Sequence, residues 1–319
     1  MYNNINPKYK SFLFFIVKLA IVIGSLYFIY DKVVHNDNIK FSEFIHQIKS
    51  ILLQKKWTIP ILLILSFLNW FFEIKKWKIL ANTIKKTSFS DATKQSLAAL
   101  TVSLFTPNRI GDYGAKAVYF SKNKGKIILL NLIGNLNQLT ITILFGIVGI
   151  IYFISTYEIE INPYRIRRIA YLLAFLLLIF IPNKRRKVKL FSYLKLDKLR
   201  DFVKTIILKT HLKIIILSLI RYLIFSHQFY FLLIVFGVDI DYSTLMYLIF
   251  TMYFLASFIP SISLFDWAVK GSVAIYIFAF INVSELTIIT ITLLMWILNF
   301  AIPSLVGSLF IINFQKSYK

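Results

Sequence analysis

Long apolar runs alternate with short polar breaks along the whole chain. Six runs reach or approach the ~20 residues that a helix needs to cross a bilayer: 11–30, 57–77, 126–155, 166–181, 212–237 and 286–313. The first has no small-residue cleavage site behind it, so it reads as a span and not as a signal peptide. Two further runs, 92–106 and 243–259, are too short to cross. They close beside Pro107 and Pro260, and a second apolar piece follows each, 115–121 and 267–281. Short apolar helices broken at a proline predict re-entrant hairpins. The second pair also reads as two thin spans. Either form crosses an even number of times, so the rest of the topology is the same.

Composition agrees with this pattern. The 319 residues are 58% hydrophobic and 16% charged, and mean hydropathy is +0.71. A soluble domain carries roughly 45–50% apolar and about 25% charged residues. The excess excludes a single soluble core and defines an all-α polytopic membrane protein. The lack of cysteine excludes thiol catalysis, Cys-ligated zinc and disulfides. His35, His46, His211 and His227 have no metal-ligand spacing, and neither a Walker loop nor a nucleophile elbow is present. No metal and no cofactor is expected, and the reading is a transporter rather than an enzyme.

The net charge of +23 sits between the apolar runs, which points to membrane topology and anionic lipid, not to nucleic acid. Residues 183–213 hold eleven Lys and Arg. By the positive-inside rule this loop is cytoplasmic, and its apolar residues Phe202, Val203, Ile206 and Ile207 suit a surface bound to anionic head groups. Counting crossings outward places Asp239, Asp241, Glu158 and Glu160 outside and both termini in the cytoplasm. Asp241 then reads as a helix cap.

An internal repeat underlies the pattern. Asp112-Tyr113-Gly114-Ala115-Lys116 and Asp266-Trp267-Ala268-Val269-Lys270 share Asp, aromatic, small, any, Lys, and the two acids are 154 residues apart. The same offset carries each apolar run of the first half close to one in the second. The expected architecture has six full transmembrane helices and two broken hairpins, built from repeats 1–155 and 156–319. Three full crossings per half invert the second repeat relative to the first, an arrangement found in secondary transporters.

Ionisable residues inside a membrane cost at least ~2.5–3.5 kcal/mol at a helix centre and mark function by default. The candidates for binding are Arg109, Asp112, Lys116, Asp266, Lys270, Asn135, Gln138 and Arg221. Each Asp–Lys pair is spaced i,i+4, on one helix face. Arg109, between the helix-breaking Pro107 and Gly111, has the planar fork that suits a phosphate. Asn131, Asn135 and Gln138 make one polar stripe, of the kind that hydrogen-bonds between helices. Glu73, near Lys75 and Lys76, reads as half of an interfacial ion pair. Arg109, Asp112, Asp266 and Lys270 are expected to converge on a polar cavity between the hairpins, suited to a zwitterionic or cationic head group.

The segment from Ser103 to Lys116 closes an apolar run with Pro107-Asn108-Arg109-Ile110-Gly111-Asp112. This Pro-x-Arg-x-Gly-acid motif resembles the transmembrane-region family of lysylphosphatidylglycerol synthases. A second family signature, a proline, a Gly-rich turn and an acid, is matched at Pro260 and Asp266 without its glycines. The resemblance covers the membrane domain only, without the cytosolic synthase domain. It implies a flippase-like transporter of a phospholipid or polyprenyl-linked lipid in a bacterial cytoplasmic membrane. The alternatives are a membrane glycosyltransferase and a non-catalytic partner of a separate lipid-modifying enzyme.

Overall fold

The computed structural model describes residues 56–104, 106, 109–157, 205–259 and 266–314, together with Lys49, Phe202 and Val203. The expected spans 11–30 and 166–181, the breaking residues Pro107 and Pro260, and most of the basic loop lie outside the described residues. Every described element is helical: α1 Thr58–Ala81, α2 Phe89–Ser103, α3 Ile110–Val118, α4 Lys124–Thr156, α5 Leu208–Val235, α6 Tyr242–Ser257, α7 Asp266–Ala279, α8 Glu285–Trp296, a π-helical segment Ile297–Ala301, and α9 Ile302–Ile312.

Four stretches are long and apolar enough to cross a membrane: α1, α4, α5 and the continuous run Glu285–Ile312. They occupy the runs expected at 57–77, 126–155, 212–237 and 286–313. At 1.5 Å per residue α1 is about 36 Å long and α4 about 50 Å, both more than a ~30 Å hydrocarbon core. Helices α2 and α6, with 15 and 16 residues, span only about 23–24 Å. Helix α3, with nine residues, is shorter still.

Local chemistry sets the ends. Ser88 accepts the Asp91 N–H at the start of α2, Asp241 accepts the Thr244 N–H at the start of α6, and Ser284 accepts the Thr287 N–H at the start of α8. Each satisfies a backbone donor that a helix start leaves open. Helix α5 ends at Gly237, whose φ of 84° lets Val238 N–H reach back to the Leu233 carbonyl and Gly237 N–H to that of Ile234.

The helices interlock crosswise. Helix α6 lies along α4, α2 lies along α9, and α1 packs on α5. Glycine permits the first two contacts. A Cβ on Gly146 would overlap the Phe254 side chain, and one on Gly307 would overlap the Leu97 carbonyl oxygen. Thr101, on α2, adds a hydroxyl that donates to the Ser304 carbonyl at 2.7 Å. The core is built from Tyr222, Phe229, Leu245, Met252, Phe278 and Ile291, with a second cluster around Trp77, Leu80, Ile127 and Leu130. Outside, Leu144, Val148 and Ile151 on α4 and Ile302, Val306 and Leu309 on α9 form exposed apolar stripes at helical spacing. A stripe of that kind suits contact with lipid chains.

Candidate functional site

A cavity of about 390 Å³ opens at the centre of the described bundle. Its polar wall carries Asn69 from α1, Arg109 and Tyr113 from the first hairpin, Asn135 and Gln138 from α4, Arg221 from α5, Asp266 and Lys270 from α7, and Asn299 from the π segment. Phe225, Tyr253, Trp267, Trp296 and Phe300 are prominent in its apolar wall. Six of the eight residues proposed from sequence, Arg109, Asn135, Gln138, Arg221, Asp266 and Lys270, therefore face one space.

Asp112 and Lys116 do not line it. Their side chains are only 4% and 3% exposed, and Lys116 Nζ lies 3.1 Å from Asp112 Oδ1. Asn131 closes the triad: its Nδ2 donates to Asp112 Oδ2 and its Oδ1 accepts from Lys116 Nζ, both at 2.8 Å. The Lys116 ammonium also sits 4.6 Å from the Trp77 ring centroid. Each charge is thus satisfied inside the protein, which is what makes its burial tolerable. The matching pair at Asp266 and Lys270 is closed at 2.6 Å, yet its side chains stay 22% and 31% exposed.

Glu73 forms the expected ion pair with Lys76 but is buried inside the protein and gains a second partner. Its Oε2 is 2.7 Å from Lys76 Nζ and 3.0 Å from Arg221 Nη1. Arg221 Nε donates to Asn69 Oδ1 at 2.9 Å, and Asn69 Nδ2 donates to Asn299 Oδ1 at 2.7 Å. Asn299 Nδ2 then donates to Gln228 Oε1 at 3.0 Å. One polar chain thereby runs from Lys76 to Gln228 through α1, α5 and the π segment. Helix length puts Glu73 within about two turns of the end of α1, which is why sequence alone reads it as interfacial. Helices α5, α2 and α4 pack on α1.

Asn69 and Asn299 were not anticipated as site residues. A signal existed for Asn299. Pro303 lies four residues later and has no N–H to give the Asn299 carbonyl. That carbonyl instead accepts the Trp70 indole N–H at 3.0 Å, and the neighbouring Leu298 carbonyl accepts the Ser66 hydroxyl at 3.1 Å. The widened π turn and its orphaned carbonyls pull α1 against this segment.

Arg109 occupies the left-handed region, with φ 58° and ψ 29°, just before α3. A side-chain-bearing residue pays roughly 1–2 kcal/mol there. The turn is held by Gly111, whose N–H donates to Thr106 Oγ1 at 2.8 Å. A Cβ at Gly111 would come within 2.9 Å of the Val102 carbonyl oxygen. The Arg109 guanidinium sits 5.7 Å from the Phe300 ring centroid, and the Lys270 ammonium sits 5.5 Å from the same centroid. One aromatic ring thus gathers a cation from each hairpin. The Arg109 Nε and the Trp267 Nε1 are buried without a hydrogen-bond partner among the described residues.

Apolar helices of crossing length around a charged central chamber define an integral membrane protein. The chain belongs to the family described as the lysylphosphatidylglycerol synthase TM region, whose family model matches residues 15–307. The match takes in the α2–α3 and α6–α7 segments and relates the chain to membrane proteins of lipid modification. No curated protein matches the chain, and no solved structure does.

Proposed function

We propose that this protein is a flippase-like transporter that moves a phospholipid or polyprenyl-linked lipid across a bacterial cytoplasmic membrane without hydrolysing ATP. The observation that carries the proposal is the central cavity, where Arg109 and the Asp266–Lys270 pair meet Asn135, Gln138 and Arg221. Its volume lies in the range of ligand sites and suits a head group, while its aromatic wall suits the adjoining glycerol or prenyl carbons. Charges at membrane depth are costly unless a function or a partner retains them. The reciprocal packing of α2 on α9 and of α6 on α4 supports an inverted repeat of 1–155 and 156–319. On that reading the closed pair Asp112–Lys116 and the cavity-facing pair Asp266–Lys270 are equivalent groups caught in different states of access.

A glycosyltransferase would place paired free carboxylates at its reaction centre. Among the described residues Asp266 is the one acid that lines the cavity, and it is bound to Lys270. This favours transport. The 183–213 loop would hold anionic head groups on the cytoplasmic side, where both termini also lie.

The test is leaflet exchange of labelled lipid in vesicles containing the purified chain. Asp266→Asn and Asp112→Asn should slow exchange while leaving insertion intact. Exchange at the rate of protein-free vesicles would refute the proposal. Exchange that appears only when a lipid-modifying enzyme is added would instead make the chain that enzyme's partner. Topology has its own test in this cysteine-free chain. A cysteine at position 240 should react with an impermeant thiol reagent on intact cells and one at position 187 should not; the reverse pattern would sink the assigned orientation.

A further inference from the structure

We propose that the cavity selects an anionic phosphate head group with no compensating amine. This rests on the cavity being the transport site. It replaces the zwitterionic or cationic ligand that the paired Asp and Lys residues suggest in the sequence.

The charges decide it. Among the described residues three cations, Arg109, Arg221 and Lys270, and one acid, Asp266, line the cavity, while the acids Glu73 and Asp112 and their partners Lys76 and Lys116 are buried outside its lining. All three acids are already engaged. Asp266 holds Lys270 at 2.6 Å, Glu73 holds both Lys76 and Arg221, and Asp112 holds Lys116. Among the described residues Arg109 has no acid partner, and its buried Nε has no hydrogen bond. A guanidinium keeps its charge. An anion that enters the cavity supplies the counter-charge.

The donors point the same way. Trp267, which lines the same cavity, has a buried Nε1 that lacks a partner among the described residues, and an indole N–H can only donate. A phosphate offers several acceptor oxygens and suits a planar guanidinium fork in two-point contact. The ammonium of a zwitterionic or cationic head group offers no acceptor. It would have to displace Lys270 from Asp266, and it would add to an existing excess of positive charge. Phe300, beneath both Arg109 and Lys270, gives the phosphate an apolar floor where water competes less for its oxygens.

Phosphatidylglycerol and polyprenyl phosphate share this chemistry, and so does free phosphate. The experiment separates them. The full chain, purified in an uncharged detergent, is titrated with short-chain phosphatidylglycerol, farnesyl phosphate, phosphatidylcholine, lysyl-phosphatidylglycerol and inorganic phosphate. Quenching of the tryptophan emission, to which Trp267 and Trp296 at the cavity contribute, reports binding. Phosphatidylglycerol, farnesyl phosphate or both should bind at least about tenfold tighter than phosphatidylcholine and lysyl-phosphatidylglycerol, the order expected for one charged hydrogen-bonded contact. Arg109→Gln should lose about that factor, Arg109→Lys should recover part of it, and Asp266→Asn should not weaken the anionic lipids.

Equal binding of phosphatidylcholine or lysyl-phosphatidylglycerol, or wild-type selectivity in Arg109→Gln, would overturn the proposal. So would inorganic phosphate binding as tightly as the lipids, since the lipid would then be superfluous. If Arg109→Gln does not fold, the ranking of head groups on the wild-type chain decides alone. Selective binding without leaflet exchange in vesicles would remove the transport reading and leave the head-group assignment standing.

Discussion

Glu73→Gln removes one negative charge from a place where two cations depend on it. The carboxylate lies 2.7 Å from Lys76 and 3.0 Å from Arg221, and the Glu73 side chain is 10% exposed. The glutamine can keep one weak hydrogen bond, but both cations stay buried and now repel each other. Taking one partner out of a buried ion pair costs roughly 3–5 kcal/mol. For a chain of this size each kcal/mol shifts the melting temperature by about 2–4 °C, so the loss should be roughly 6–20 °C. Thermal unfolding of the detergent-solubilised protein, followed by tryptophan emission, measures it. Removing the cations should restore stability, because the cost lies in unpaired charge. The double variant Glu73→Gln/Lys76→Met should therefore recover part of the loss, and the triple variant with Arg221→Met most of it. An unchanged melting temperature in Glu73→Gln would show that water solvates this carboxylate and that the ionic network does not hold α1 to α5. A triple variant less stable than the single one would show that the three side chains contribute by packing and not by charge balance.

Two further outcomes follow from local geometry. Gly307→Ala should destabilise the protein by about 1–3 kcal/mol, because its Cβ overlaps the Leu97 carbonyl. Gly114→Ala, on an exposed helix position with open space around it, should stabilise by roughly 0.5–1 kcal/mol; thermal scans of both variants against wild type check the pair. At the exposed start of α6, the Thr244 N–H holds the Asp241 carboxyl below its ordinary pKa of 3.8. The contribution of that carboxylate is therefore present above pH 3.8 and lost as pH falls through its lowered value. The stability gap between wild type and Asp241→Ala should stay constant from pH 7 to about pH 5 and narrow below about pH 4; a gap that widens on acidification would refute the cap.

Hydropathy is a sum along the chain, so the sequence alone determines a helical membrane protein. Spans at 57–77, 126–155, 212–237 and 286–313 are legible because burying a backbone in lipid takes a long run of apolar residues. The half-length helices α2 and α6 are legible for the same reason, and so is the cap at Asp241, where a side chain serves its own backbone a few residues away. Which polar groups meet is not a local property. Asp112 and Asp266 stand in pentapeptides of the same Asp, aromatic, small, any, Lys pattern, yet one enters a closed triad with Asn131 and the other faces the cavity. Their difference lies in what each helix packs against. Glu73 and Arg221, or Asn69 and Asn299, far apart along the chain, are joined only because α1, α5 and the π segment share one interior. In that interior a buried charge must find a partner or be unaffordable. That Arg109 finds no acid partner among the described residues is likewise a property of the assembled bundle, where the described acids Asp266, Glu73 and Asp112 each hold other cations.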